Sequence, residues 1–452
     1  MNKQIHEKSA LELGAGIRSG ELDPVVVTEH FLTRIDAVDG DHRIYVRTTR
    51  ERALAEAMAA RQRQSDGTLR SPLDGVPISW KDLVDTGGFP TEGACRLYQG
   101  RLPDRDALAL QRATAAGMIC LGKTNLPDLA YSGLGVNPWT GTPANAHSPE
   151  GDPRVPGGSS AGAGVSVALG LAPAGIGSDT GGSVRIPAAF NGIVGLKTTW
   201  GLIPLEGVML LAPSLDSLGP LTQDVADANH ISAILSATRP ADLNGVSLKG
   251  MRLLHAIGHD DDVIQPGVKS AVDAAIERCR EAGAEVVTRR LDAFDAVDEM
   301  VSLHGNPVTL EGWALWHQAI DANPGALYPP ILERIREGRK GSAVDAETMR
   351  RRFMDLQRAY INATAGFDAV VMHSVPVVAP PIAQVENDPV AHGRQALLSS
   401  VATRRVNYLG LCGLSLPCGF SDGMPVGLAV IGHPFGEGRA LRTGAAIEGV
   451  LA

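Results

Sequence analysis

The stretch Gly177-Ser-Asp-Thr-Gly-Gly-Ser-Val-Arg-Ile-Pro187, GSDTGGSVRIP, decides how this 452-residue chain is read. Asp179-Thr-Gly181 is the tripeptide that carries the acid of aspartic proteases. That chemistry needs two carboxylates sharing one proton. Asp179 is expected to lack such a partner and to be an ionised structural carboxylate holding Arg185 or loop amides. Ser183 offers the other reading. It follows Gly181-Gly182, and glycines in a turn leave amides free to face a developing negative charge.

Working outward, glycine is dense and charge sparse from Pro149 to Gly201. Regular Val, Leu, Ile and Phe exclude a disordered linker there, so backbone is expected to approach backbone or a ligand closely. Residues 24–38 and 50–64 read as helices, the first with Val27, Phe31 and Ile35 on one face. A helix–glycine–strand unit occurs twice. In the first, Asp106–Ala116 is followed by Gly117 and Met118–Leu121; in the second, Val268–Ala282 is followed by Gly283 and Ala284–Thr288. Such units return a chain to the sheet of an α/β layer fold. Residues from about 240 to 370 are more charged and mostly helical. Apolar runs at Asp368–Met372 and Gly427–Gly432 then rejoin the sheet.

The chain carries 41 basic and 50 acidic residues, a formal charge of −9. Without basic runs, this excludes nucleic acid and anionic membrane as main partners. The five cysteines, Cys95, Cys120, Cys279, Cys412 and Cys418, are scattered and never spaced C-x-x-C. A reduced, cytoplasmic protein is the expectation. The start, MNKQIHEKSALELGAG, has no apolar signal core, and no window holds the ~18 apolar residues of a membrane span.

Three other patterns match and fail on context. Gly117–Thr124 satisfies the phosphate-loop pattern, but a helix precedes it and its loop positions read as strand. Gly158-Ser-Ser-Ala-Gly162 satisfies the nucleophile-elbow pattern around Ser160, but no apolar strand leads into it. His255 and His259 do not share a helical face, so a solvated turn is preferred to a metal site. No metal or cofactor is expected.

Amide hydrolysis needs a nucleophile, a base, an acid for the leaving amine and donors for the oxyanion. No histidine lies in the glycine-rich stretch. A lysine can serve if burial keeps it neutral, and Lys81 ends the apolar run Gly75-Val-Pro-Ile-Ser-Trp-Lys81.

Taken together, Gly75–Lys81, Gly122–Asn125, Pro156–Ser160, Gly177–Arg185 and Ile186–Lys197 resemble the amidase signature family. Ser214–Thr222, Asn407–Gly410 and Gly423–Gly427 extend the likeness in family order, weakest between about 240 and 370. The resemblance implies an α/β fold, a central mixed twisted β-sheet covered by helices on both faces. It implies one domain over 1–452, with 240–370 a variable, substrate-pocket segment. It also implies a Ser–cis-Ser–Lys triad, whose nucleophile matches Ser183, bridging serine Ser159 and lysine Lys81. The oxyanion donors fall on the amides of Thr180, Gly181, Gly182 and Ser183.

The expected function is hydrolysis of a small carboxylic amide or a related hydrazide, ureido or carbamoyl bond, without cofactor. The alternative is the A component of glutamyl-tRNA amidotransferase, a glutaminase within a complex. Specificity is expected from Ala130, Tyr131 and Ser132 and from Trp313, Trp316, His317 and Tyr328, with packing under a lid the rival role for the tryptophans. The sequence also allows a homodimer. Ala161, Ala163, His373-Ser-Val375 and Leu428 depart from common family residues, and an unusual pocket shape is the expected consequence.

Overall fold

A computed structural model describes residues 3–451. Eleven strands form one mixed sheet. In chain order they are β1 (Tyr45–Thr48), β2 (Pro77–Lys81), β3 (Ile119–Thr124), β4 (Ala174–Asp179), β5 (Val194–Lys197), β6 (Ser217–Thr222), β7 (Arg252–Ala256), β8 (Glu285–Arg289), β9 (Ala369–His373), β10 (Gly413–Ser421) and β11 (Met424–Ile431). Their order across the sheet is β1-β3-β2-β4-β6-β5-β10-β11-β9-β7-β8. Strands β3, β2 and β4 run parallel to one another, as do β9, β7 and β8, and the strands between are antiparallel.

Helices cover both faces because side chains alternate along each strand. In β11, Leu428 and Val430 enter the core shared with Val268, Val272 and Ile276 of the helix Pro266–Glu281. Ala429 and Ile431 point the other way, into a second cluster with Phe294, Phe353 and Tyr360. Local chemistry sets the helix ends. Asp23 accepts the amides of Val25 at 2.7 Å and Val26 at 3.4 Å, Pro24 opens the helix Pro24–Val38, and Val27, Phe31 and Ile35 are buried.

The expected elements at 24–38, 50–64, 268–282 and 284–288 occur within two residues of those bounds. The 240–370 segment holds helices at Asp292–His304, Pro307–Ala322, Pro329–Arg336 and Ala343–Thr364, together with β7, β8 and the start of β9. The glycine-rich stretch folds as the helix Ala161–Ala168, β4, the helix Arg185–Asn191 and β5. Gly162 shows why it needs glycine: an added Cβ would lie 2.1 Å from the Ile44 carbonyl oxygen.

Candidate active site

Because β2 and β4 are parallel neighbours, their C-terminal ends bring Lys81 and Asp179 to the same edge of the sheet. The turn leading into the helix Ala161–Ala168 supplies Ser159, and the Gly158–Ser159 peptide is cis. Lys81, fully buried, places Nζ 2.7 Å from Ser159 Oγ and 2.9 Å from Ser178 Oγ. Ser160 N donates to the Ser183 carbonyl at 3.1 Å, tying that turn to the segment after β4. Burial drives the Lys81 amine down to about 7; the carboxylates of Asp179 and Asp216 pull the other way without prevailing.

Asp179 organises the turn in front of Ser183. Its carboxylate accepts from Gly182 N at 2.8 Å, Val184 N at 3.1 Å and Asn407 Nδ2 at 2.8 Å. Arg185 meets it through Nε and Nη2, each at 3.0 Å. Burial disfavours the charge, but the Arg185 guanidinium and these donors outweigh it and hold Asp179 below the usual carboxylate range. This is the structural carboxylate expected from the sequence. The triplet does recur, at Asp85-Thr-Gly87. Asp85, however, pairs with Arg101 at 2.6 and 2.8 Å, so each carboxylate has its own arginine and the two share no proton.

The same geometry corrects one expected donor. The Gly182 amide is committed to Asp179 and cannot face an oxyanion. Among the described residues, the amides of Thr180, Gly181 and Ser183 meet no protein acceptor. Thr403 Oγ1 donates to the Gly181 carbonyl at 2.7 Å, and Thr180 Oγ1 donates to Asp216 Oδ1 at 2.5 Å. Those two bonds fix the turn from either side. Burial raises the Asp216 carboxyl to about 6, against the pull of its bonds from Thr180, Leu211 N and Ala212 N.

A family model described as Amidase matches residues 26–441. The chain belongs to the amidase family. It is similar to the A component of the glutamyl-tRNA(Gln) amidotransferase of Chloroflexus aggregans, 34% identical, with 99% of this chain and 97% of that one aligned. Among solved structures it is similar to an amidase (TM-score 0.89, 31% identity, 98% of this chain and all of that one). It is also similar to a chain of an inhibitor-bound protein complex described as revealing the evolutionary origins of an s-triazine catabolic enzyme (TM-score 0.88, 27% identity, 98% of both chains).

In this amidase-family chain Ser183 lines a narrow inner cleft of about 50 Å³, with Thr180 and Gly181 beside it and Tyr131 and Ser132 on the wall. Ser132 Oγ lies 3.2 Å from His392 Nε2. Ala130, at φ 64°, is buried and does not line the cleft. Trp313, Trp316, His317 and Tyr328 do not line it either, which corrects the pocket role expected for them. Trp316 Nε1 donates to the Leu210 carbonyl at 3.1 Å, and its ring packs edge-on against Tyr98. Trp313 lies under Arg339, and His317 Nδ1 is 3.1 Å from the Trp313 carbonyl. Tyr328 hydrogen-bonds the Glu386 carbonyl and packs against His392. These are packing roles for large amphipathic rings.

The departures from the family pattern lie away from the cleft as well. Ala161, Ala163 and Leu428 are core residues, and His373 Nε2 meets Asp260 at 2.9 Å. The remaining pattern matches are also absorbed. Lys123 is buried in β3 and bonds the Val84 carbonyl and Thr91; His259 is taken up by Asp295 and the Leu291 amide.

Sequence reasoning missed Ser178, whose contact with Lys81 depends on the β2–β4 register. It also missed Asn306, Arg334 and Arg404, which line both the inner cleft and the outer chamber of about 640 Å³ into which it opens. Their signal was faint: Arg404 has no acid three or four residues away on its helix, and Glu337, three residues beyond Arg334, makes no ion pair with it.

Proposed function

We propose that the chain hydrolyses the C–N bond of a small amide through an acyl-enzyme on Ser183. Supporting this reading above all is the fully buried Lys81, held at about 7 by its surroundings and 2.7 Å from Ser159 Oγ. At neutral pH a large share of this lysine is unprotonated, so it can accept a proton. Ser183 Oγ attacks the carbonyl carbon while its proton passes through Ser159 to Lys81. The oxyanion is met by the free amides of Thr180, Gly181 and Ser183. The relay then returns a proton to the departing nitrogen, and water attacks the acyl-enzyme along the same path. Ser178 and Asp179 hold the lysine and the turn in place.

A panel of carboxamides, hydrazides and ureido compounds tests this with purified chain. Turnover by the isolated protein, reduced by at least about a thousandfold in Ser183→Ala and in Lys81→Ala, is the expected result. Full turnover in either variant would exclude the mechanism.

A second reading has its own support: the Chloroflexus relative aligned end to end is the A component of an amidotransferase. In that case the same chemistry releases ammonia from glutamine inside a complex. Glutaminase activity that appears only with a copurifying partner and charged tRNA would favour it over the free-standing amidase.

A further inference from the structure

We infer that the substrate is an amide carrying a carboxylate but no ammonium group, gripped by Arg334 and Arg404 while its carbonyl faces Ser183. This rests on the amide-hydrolysis reading above. Both arginines line the inner cleft and also the outer chamber, so they stand where the two meet. A substrate extending from Ser183 toward the opening passes between them.

Arg334, on the helix Pro329–Arg336, is half-buried with its guanidinium carbon 5.3 Å from the centre of the Tyr131 ring. Among the described residues its side chain forms no ion pair and no hydrogen bond. Arg404, on the helix Pro389–Tyr408, has a side chain only 16% exposed and a buried Nε without a partner. Its Nη2 reaches Asp298 Oδ1 at 3.4 Å, but Asp298 is bound more closely by Arg405, at 2.6 and 2.9 Å. Two partly desolvated guanidiniums that are incompletely neutralised by protein favour an anionic ligand.

No Asp or Glu among the described residues lines the inner cleft. The carboxylates nearby, Glu333, Glu337 and Asp345, belong to the outer chamber, where Lys340 accompanies them and His304 pairs with Asp345. Asparagine and glutamine carry an ammonium on the same carbon as their carboxylate. Bound between the two arginines, that ammonium would meet like charge, and no carboxylate of the inner cleft would offset it. Such repulsion discriminates against glutamine as firmly as the arginines select a simple anion.

Steady-state kinetics of the full chain test this on malonamate, succinamate and glutaramate. Each is compared with its neutral analogue (propionamide, butyramide and valeramide), and the last two also with asparagine and glutamine. The best anionic amide should exceed its neutral analogue and its amino acid counterpart by about tenfold or more in kcat/KM. Arg334→Gln and Arg404→Gln should each lower the anionic-to-neutral ratio about tenfold, with Arg404→Lys keeping more of it than the glutamine variant. A ratio near one in the unaltered protein, a ratio unmoved by either variant, or a preference for glutamine or asparagine would overturn the proposal. Hydrolysis of a neutral p-nitrophenyl ester separates the two levels. Ester turnover that still depends on Ser183 confines such a failure to this proposal, whereas ester turnover surviving Ser183→Ala removes the reading beneath it.

Discussion

Lys81 Nζ donates to Ser159 Oγ across 2.7 Å, joining the end of β2 to the turn before the helix Ala161–Ala168. Both side chains are fully buried, and among the described residues no carboxylate lies in direct contact with the amine. A lysine in this setting serves reactivity at the expense of stability. The first expectations follow from that opposition.

Activity should rise with pH through about 7 and level off above it, because the neutral amine of Lys81 is the form that accepts a proton. The rising limb of kcat/KM measures this directly. A limb centred near the ordinary lysine value would separate Lys81 from the proton relay.

Lys81→Met should be inactive yet more stable, by about 2 kcal/mol at neutral pH, after subtracting the lost bonds to Ser159 and Ser178. The folded value, about 7, lies below the ordinary 10.5, so the unfolded chain binds more protons between those limits. The cost of burying Lys81 is therefore full below about pH 7 and fades as pH rises toward 10.5. Urea unfolding at about pH 7 and about pH 10 should show the gain of Lys81→Met shrinking at the higher pH.

Ser178→Ala removes an acceptor that favours the charged amine, so the pH limb should move to lower pH and kcat should fall about tenfold. An unshifted limb would show that Ser178 does not tune Lys81.

Asp179→Asn should destabilise the fold by about 3–5 kcal/mol, since it strands the buried Arg185 guanidinium and disturbs the turn before Ser183. A drop in urea midpoint with an unchanged slope checks it. A smaller loss would mean that Asn407, whose Oδ1 takes Arg185 Nη2 at 2.6 Å, can carry the arginine alone.

How much of this was legible in the sequence depended on whether the chemistry was local. Ser159, Ser183 and Lys81 each sit in a short run whose glycines and apolar neighbours betray a special backbone. The helix at 24–38 was equally plain, from Pro24 and the spacing of Val27, Phe31 and Ile35. Ser178 stood inside the stretch that decided the fold but gained its role only from strand register. Arg334 and Arg404 come from helices far apart in the chain, and no local pattern says that their guanidiniums share a cleft. Trp313 and Trp316 lie in the variable segment that the resemblance makes a substrate pocket. Yet Trp316 satisfies its ring nitrogen with the Leu210 carbonyl and packs instead of lining the cleft. The Gly182 amide looked free for a similar reason: its acceptor, Asp179, is three residues back, where a turn rather than a strand brings it round.

Covalent trapping bears most directly on the proposed chemistry. A fluorophosphonate should add once to the purified chain, and peptide mapping should place the adduct on Ser183, with no labelling in Ser183→Ala and strongly slowed labelling in Lys81→Ala. An adduct on Ser159, Ser160 or Ser178, or undiminished labelling of Ser183→Ala, would contradict the account.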